Sequence, residues 1–577
     1  MDDSSNPAAD IPSNKDIVEA DRAPLKDASL IAGETLQQVG AAIPGPAKEA
    51  AVDTPSTARS AFSVGAGILI SRIVGLIRQR IFAYYFGRSG EGDAFSAAFR
   101  IPNFLQNVFG EGALSASFIP VYARLLAQGD EKEASRVANA VFGLLALVTS
   151  VIVLIGVLGT PYFVTVIAGG FQDERRELTI SLVRILFPGA GLLVLSAWCL
   201  GVLNSHHRFF VSYTAPVAWN IAIIVALVMF GRKVAPGPLA EYTAWGSVVG
   251  SALQIGVQMP TVLRLIHQFR PLIDVASDHV KEVIRNFLPV FVSRGVVQIS
   301  AFVDAFLASY LGTGAVAALT YAQSLYTLPV SLFGMSVSAA ELPTMSKAMG
   351  ATEVVAETLR HRLETGLQRI SFFIVPSSMA FLALGDVVVA LLYQNGKFTQ
   401  ADSRYLWAVV AGSSVGLLAS TMGRLYSSTF YALRDTRTPL RFAVVRVVLT
   451  TVLGYLCSLP LPRALGVDPQ WGVVGLTASA GVAGWVEFVL LRRSLNARIG
   501  RTGLPLPFIT KLWLGAAVGA GVGWGFRILL GRTHPIPLAV VVLGGYGLTY
   551  FGVTAALGVG EAGRVISRAL RVLRISR

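Results

Sequence analysis

Apolar runs long enough to cross a bilayer recur almost without pause from Ala61 to Gly558, and this constrains the chain more than any other feature. A spanning helix needs about 20 apolar residues, so the runs accommodate about fourteen spans. Only 14% of residues are charged against 53% hydrophobic, and such a composition excludes an ordinary soluble domain. The expected fold is an all-α integral membrane protein. The net charge of +14 does not indicate nucleic acid, because the basic residues cluster in short loops between apolar runs.

Those loops also set an expected topology. Lys and Arg concentrate in alternate loops, Arg264 to Arg285, Lys347 to Arg369, Arg434 to Arg441 and Arg492 to Lys511, and in the tail Arg564 to Arg577. The opposite loops hold fewer, among them Arg88, Arg175, Arg176, Lys397 and Arg463. By the positive-inside rule both termini face the cytoplasm. Residues 1–60 lack an apolar signal region and read as a disordered cytoplasmic tail. Ser71-Arg72 in the first run returns as Ser293-Arg294 in the seventh, and the basic turn Leu203 to Arg208 is echoed by Leu433 to Arg437. This internal repeat predicts two pseudo-symmetric lobes of about six helices, 61–270 and 271–495, followed by two further helices in 496–560 and a basic amphipathic segment in 561–577.

Several activities lack their chemistry here. The cysteines are Cys199 and Cys457, both inside apolar runs, so no disulfide framework or thiolate metal site is expected. The six histidines, with His206 and His207 adjacent, form no zinc motif, and no phosphate-binding G-x-x-x-x-G-K-[ST] loop occurs. The chain is not expected to be an enzyme or an ATP-driven pump.

What remains is charge where lipid cannot accept it. A charged side chain at the bilayer centre costs about 2.5–3.5 kcal/mol on insertion scales. The first run nonetheless holds Arg72, Arg78 and Arg80, and the second holds Asp93, Arg100 and Glu111 with Asn103, Gln106 and Asn107. On a continuous helix at about 100° per residue, Asp93, Arg100, Asn107 and Glu111 fall within about 40° of one another, a polar stripe suited to a water-filled cavity. Simple snorkelling or ion pairing is the plainer alternative for the arginines. The repeat-related positions of Arg72 and Arg294 favour clamping one central anion from two sides, for which the planar guanidinium is suited. Asp304 lies about 15 Å along the helix axis from Arg294, too far to pair with it, and needs either a partner on another helix or a cation or proton. Glu341 and Glu487 read as interfacial or paired. Pro102, Pro120, Pro289, Pro329 and Pro343 mark kinks or helix ends.

Several motifs carry a resemblance: Ser71-Arg72-Ile73-Val74-Gly75-Leu76-Ile77-Arg78, Gly92-Asp93-Ala94-Phe95, Ile101-Pro102-Asn103, Phe109-Gly110-Glu111-Gly112-Ala113, Leu342-Pro343-Thr344-Met345-Ser346-Lys347, Asn395-Gly396-Lys397-Phe398-Thr399, and Phe430-Tyr431 through Asp435-Thr436-Arg437-Thr438-Pro439. In order and spacing the chain resembles the lipid II flippase (MurJ) family of the multidrug/oligosaccharidyl-lipid/polysaccharide exporter superfamily. The resemblance implies fourteen helices in two lobes and outward flipping of undecaprenyl-diphosphate-linked peptidoglycan precursor, lipid II, across the bacterial cytoplasmic membrane by alternating access. It assigns Arg72 and Arg78 to the diphosphate, and Asp93 and Glu111 to cavity or gating positions. Arginines implied in the second and eighth helices are replaced by Gln106 and Ser324; Arg294, with Arg100 or Arg80, is expected to restore the charge. A sodium site in some relatives implies Asp304, Asp435 and Thr451 as candidate ligands. The expected partners are the lipid-linked substrate and membrane lipids, with no nucleic acid, and the chain is expected to act as a monomer. The alternatives are a flippase for another polyprenyl-diphosphate glycan, a drug/cation antiporter, disfavoured by the basic mid-span charge, and a non-transporting scaffold.

Overall fold

The computed structural model describes residues 55–109, 111–266, 268–271, 273–346, 352–531, 534–565 and 567, without the side chains of some helical residues, Glu111 and Arg294 among them. Most of the expected 1–60 tail and of the 561–577 segment lies outside the described residues.

The first lobe runs through α1 (Pro55–Phe86), α2 (Gly90–Ala98), α3 (Arg100–Phe109), α4 (Glu111–Ala127), α5 (Glu131–Leu158), α6 (Thr160–Ile167), α7 (Asp173–Ser205), α8 (Phe209–Phe230) and α9 (Pro236–Leu265). The second comprises α10 (Asp278–Ser309), α11 (Ala315–Pro329), a π-helical turn (Val330–Met335), α12 (Ser336–Ser346), α13 (Thr352–Ala383), α14 (Gly385–Tyr393), α15 (Gln400–Ser414), α16 (Leu417–Ala432), α17 (Arg437–Ser458), α18 (Pro460–Ala464) and α19 (Gly472–Ile499). Two further helices, α20 (Leu506–Leu530) and α21 (Pro535–Ala556), pack on each other and on α13 and α14.

Ten helical segments among the described residues are long and apolar enough to cross a membrane. The other four expected spans, α1, the α2–α4 series, α9 and α10, are helical too; charge or buried polar side chains set them apart. In α9 several of those polar groups bond inside the lobe: Gln254 Nε2 donates to Ser196 Oγ at 2.8 Å, Ser196 Oγ donates to Gln258 Oε1 at 2.7 Å, and Trp219 Nε1 donates to Ser247 Oγ at 3.1 Å. Hydrogen bonds of this kind join helices where water and the hydrophobic effect are absent.

Proline chemistry shapes the breaks. Pro102 has no N–H to give the carbonyl four residues earlier, at Ala98, and α2 ends there, with α3 beginning at Arg100. The second span is therefore a series of three helices, and of the stripe expected of Asp93, Arg100, Asn107 and Glu111, Asp93 is wholly buried while Arg100 and Asn107 line one cavity. At the eighth span the π turn follows Pro329, and Gly334 within it lies so close to Thr421 of α16 that a Cβ would be 2.5 Å from the threonine methyl.

In α13, Pro376 has no N–H, so the carbonyl of Phe372 loses its helical donor. The hydroxyl of Tyr550 on α21 supplies one at 2.6 Å, and Tyr546 donates to the Pro376 carbonyl at 2.6 Å. Inside a bilayer an unsatisfied carbonyl has no water to turn to. Tyr550→Phe should therefore lower the stability of the purified protein by about 1–3 kcal/mol, read as a fall in melting temperature in detergent; an unchanged melt would show that Phe372 does not depend on α21.

Candidate functional site: the cleft between the lobes

At one end of the molecule the lobes close on each other through backbone. The Lys397 N–H donates to the Tyr84 carbonyl at 2.8 Å, and the Tyr321 hydroxyl donates to the Gly87 carbonyl at 3.0 Å. Gly87 (φ +56°) and Gly396 (φ +58°) stand at these approaches, where a Cβ would lie 2.6 Å from the Lys397 carbonyl oxygen and 2.4 Å from that of Tyr84. Both the left-handed backbone and the proximity require glycine.

Charge completes the seal. Arg88 stacks on Tyr405 with its guanidinium 3.6 Å from the ring centroid, donates to Gln470 Oε1 at 3.2 Å, and pairs with Asp402 at 3.6 Å. Arg175 donates to Thr313 at 2.9 Å. At the centre Asp93 is wholly buried, and its two oxygens accept from the Gly314 N–H at 2.6 Å and the Ala317 N–H at 2.8 Å, with Arg175 3.7 Å away. A first-lobe carboxylate thus caps the N-terminus of second-lobe α11, where unsatisfied N–H groups and the helix dipole favour an anion. Expected as a cavity or gating acid, Asp93 is excluded from the cavity surface by this burial and sits in the seal.

Beneath the seal, Phe99 and Trp219 stack on each other with centroids 5.5 Å apart, and Arg78 lies beside the pair, 5.5 and 5.1 Å from the two centroids. It lies near Tyr393 of the second lobe, which is next to Ser324. One and a half turns earlier on α1, Arg72 is exposed and makes no ion pair among the described residues. Arg80 is tied to the Leu391 carbonyl at 3.2 Å.

Arg100 is held from across the lobes. Its guanidinium donates to the Ala301 carbonyl of α10 at 2.8 Å and interacts with Asp304, and it lines a cavity of about 90 Å³ together with Asn103, Asn107, Gln298, Phe104 and Phe302. Asp304 also interacts with Arg446, which pairs with Glu487 at 3.0 Å; Glu341 pairs with Arg369 at 3.2 Å.

The three candidate sodium ligands are not brought together. Asp435 lies in the loop before α17, where it caps Thr438 and pairs with Arg498 at 2.5 Å. Burial alone would raise its pKa, but the Thr438 N–H and hydroxyl and the Arg498 charge hold the carboxyl below its ordinary value. Thr451 donates to the Val447 carbonyl of its own helix at 2.9 Å, and Asp304 faces arginines. Among the described residues no cluster of three His, Cys, Asp or Glu suits a metal. The side chains of Arg294 and Glu111 lie outside the described residues.

The seal was largely missed by residue-level reading. Arg88 and Arg175 counted only as loop charges, and the Asn395-Gly396-Lys397 motif carried resemblance without a role. Gly-Arg after an apolar run and Asn-Gly-Lys before another were the available signals for close backbone contact.

The family model for the lipid II flippase MurJ matches residues 82–536, a stretch that includes the seal and begins just after Arg72 and Arg78. A probable lipid II flippase MurJ of Rhizobium tropici is 30% identical over 450 residues, covering 77% of this chain and 81% of that protein. The lipid II flippase MurJ of Burkholderia cenocepacia is 30% identical over 76% of this chain and 84% of its own length. Among solved structures, a lipid II flippase MurJ in an inward closed conformation aligns with a TM-score of 0.72 at 23% identity, covering 86% of this chain and 98% of that one. An inward-facing MATE transporter of the MOP superfamily aligns at 0.59 and 18% identity, covering 74% and 95%. The expected all-helical membrane fold is thereby established, and by sequence and fold the chain belongs to the lipid II flippase MurJ family, a family of membrane transporters rather than enzymes.

Proposed function

We propose that this chain flips lipid II from the inner to the outer leaflet of the bacterial cytoplasmic membrane by alternating access, in support of peptidoglycan synthesis. The observation that carries the reading, beside family membership, is a cleft closed at one end by the Asp93 and Arg88 contacts, with Arg78 and Arg72 on the helix leading away from that closure. The sealed end faces outward and the basic loops, with both termini, face the cytoplasm. The diphosphate enters from the cytoplasm and is held by Arg78 and Arg72, with Arg294 of the repeat-related helix opposite. Glu111 joins Asp93 as an acidic gating residue, and Arg100 sets the spacing of α3 and α10 through Ala301 and Asp304. Opening of the seal, with closure at the cytoplasmic end, releases the head group outside while the polyprenyl chain stays in lipid.

Gln106 and Ser324 favour a second reading, in which the carried lipid has the same polyprenyl diphosphate and a different glycan. Expression of the intact chain in a strain depleted of its own lipid II flippase separates the two. Growth should be restored to the level of the resident flippase. Failure of a well-expressed protein that still binds polyprenyl diphosphate would move the glycan variant ahead.

A further inference from the structure

Arg184 is an exposed cation on a helix face that has no part in the cleft. It projects from α7 with no hydrogen bond or ion pair among the described residues. Three glycines mark the sides of α7 that meet other helices: Gly201 meets Phe118 of α4, Gly189 meets Val248 and Ser251 of α9, and Gly191 meets Thr149 and Val153 of α5. At about 100° per residue, Glu177, Ser181, Arg184 and Pro188 point between the α5 and α9 sides and away from α4. The stripe therefore faces the outside of the first lobe, where the solvent is lipid.

The stripe forms a groove of about 360 Å³ lined by Glu177, Ile180, Ser181, Arg184 and Ile185. Ser181 Oγ donates to Glu241 Oε1 of α9 at 2.7 Å, which brings a second carboxylate to its edge. Pro188 has no N–H, so the Arg184 carbonyl below the groove is left as a free acceptor. At 1.5 Å per residue, Arg184 is about 16 Å along the axis from Asp173 and about 31 Å from Ser205. With a hydrocarbon core about 30 Å thick, that position is the level of lipid phosphates on the sealed side.

A lone guanidinium there calls for a phosphate, with which it forms charge-assisted, bidentate hydrogen bonds. Two carboxylates beside it repel any further negative charge and attract an ammonium group. We propose that this groove is a binding site for an aminophospholipid such as phosphatidylethanolamine in the leaflet on the sealed side: Arg184 takes the phosphate, and Glu177, backed by Glu241, takes the primary ammonium. Nothing in this assignment depends on which lipid-linked glycan the cleft carries.

The test uses the purified full-length chain reconstituted in nanodiscs of equal phosphatidylethanolamine and phosphatidylglycerol, followed by native mass spectrometry of the lipids that stay bound. Phosphatidylethanolamine should be retained about fivefold over phosphatidylglycerol, a difference of about 1 kcal/mol. Glu177→Gln should bring that ratio close to one, Arg184→Gln should lose both lipids, and Arg184→Lys should keep the preference. Both residues are exposed, and melting curves of each variant show whether the fold is kept; if Arg184→Gln does not fold, Glu177→Gln and Arg184→Lys still decide. Preferential retention of phosphatidylglycerol, or an unchanged lipid profile in Glu177→Gln or Arg184→Gln, would overturn the assignment.

Discussion

Replacing Asp93 by alanine is expected to abolish rescue of a flippase-depleted strain while protein levels in the membrane stay normal. The carboxylate is fully buried and holds the Gly314 and Ala317 N–H groups across the lobe interface. Hydrogen bonds to a charged group contribute about 1.5–3 kcal/mol each, and removing one partner of a buried charged arrangement typically costs about 3–5 kcal/mol. Alanine leaves the first turn of α11 uncapped and Arg175 without its acid at 3.7 Å. A loss of about 3 kcal/mol moves the balance between sealed and unsealed forms by about 100-fold, enough to trap the transporter open on that side. A cysteine placed at Ala97, which is 2% exposed in the seal, reports this directly in a background where Cys457 is serine. It should react with a membrane-impermeant maleimide in Asp93→Ala and remain protected when Asp93 is present. Asp93→Asn keeps one acceptor oxygen and should fall between. If Asp93→Ala both rescues growth and leaves Ala97→Cys protected, the closure is held by Arg88 and the Gly87 and Gly396 contacts alone.

The architecture was legible in sequence because hydropathy reports the one thing a bilayer demands of a chain, long apolar helices with internally satisfied backbones. Charge in α1 and α2–α4 was equally legible as something requiring explanation. The explanations were harder, since they depend on pairings that no local pattern encodes. Asp93 finds its donors on backbone more than 200 residues away, and the wheel that placed it with Arg100 and Asn107 assumed one helix where the fold has α2 and α3. Asp304 was left between a partner on another helix and a cation; in the fold it faces Arg100 and Arg446. Thr451 and Asp435 suited an ion by residue type, but one serves its own helix and the other caps the start of α17. Residue type indicates what a side chain can do, and the tertiary path of the chain decides which partner reaches it first.

The same distinction governs the largest expected effect on substrate binding, that of Arg78. Sequence marks it as a mid-span cation; the fold sets its guanidinium against the stacked rings of Phe99 and Trp219. Cation–π contacts contribute about 0.5–2 kcal/mol each, and here they also orient the planar fork that suits a diphosphate. With Ser324 in place of a second cation near Tyr393, little else on the sealed side of the cleft offsets two phosphate charges. Arg78→Ala should therefore weaken binding of lipid II to purified protein by about 100-fold or more, equivalent to about 3 kcal/mol, and should eliminate rescue at normal expression. Arg78→Lys preserves charge but loses the stack and the bidentate geometry, and a loss of about tenfold is expected. Trp219→Leu removes one of the two rings against which Arg78 rests and should give a similar tenfold loss with the charge intact. Equal losses in Arg78→Lys and Trp219→Leu, both smaller than in Arg78→Ala, would show that orientation and charge contribute separately. Full binding by Arg78→Ala would instead place the diphosphate lower on α1, at Arg72, and leave Arg78 as a brace between α1, α2 and α8.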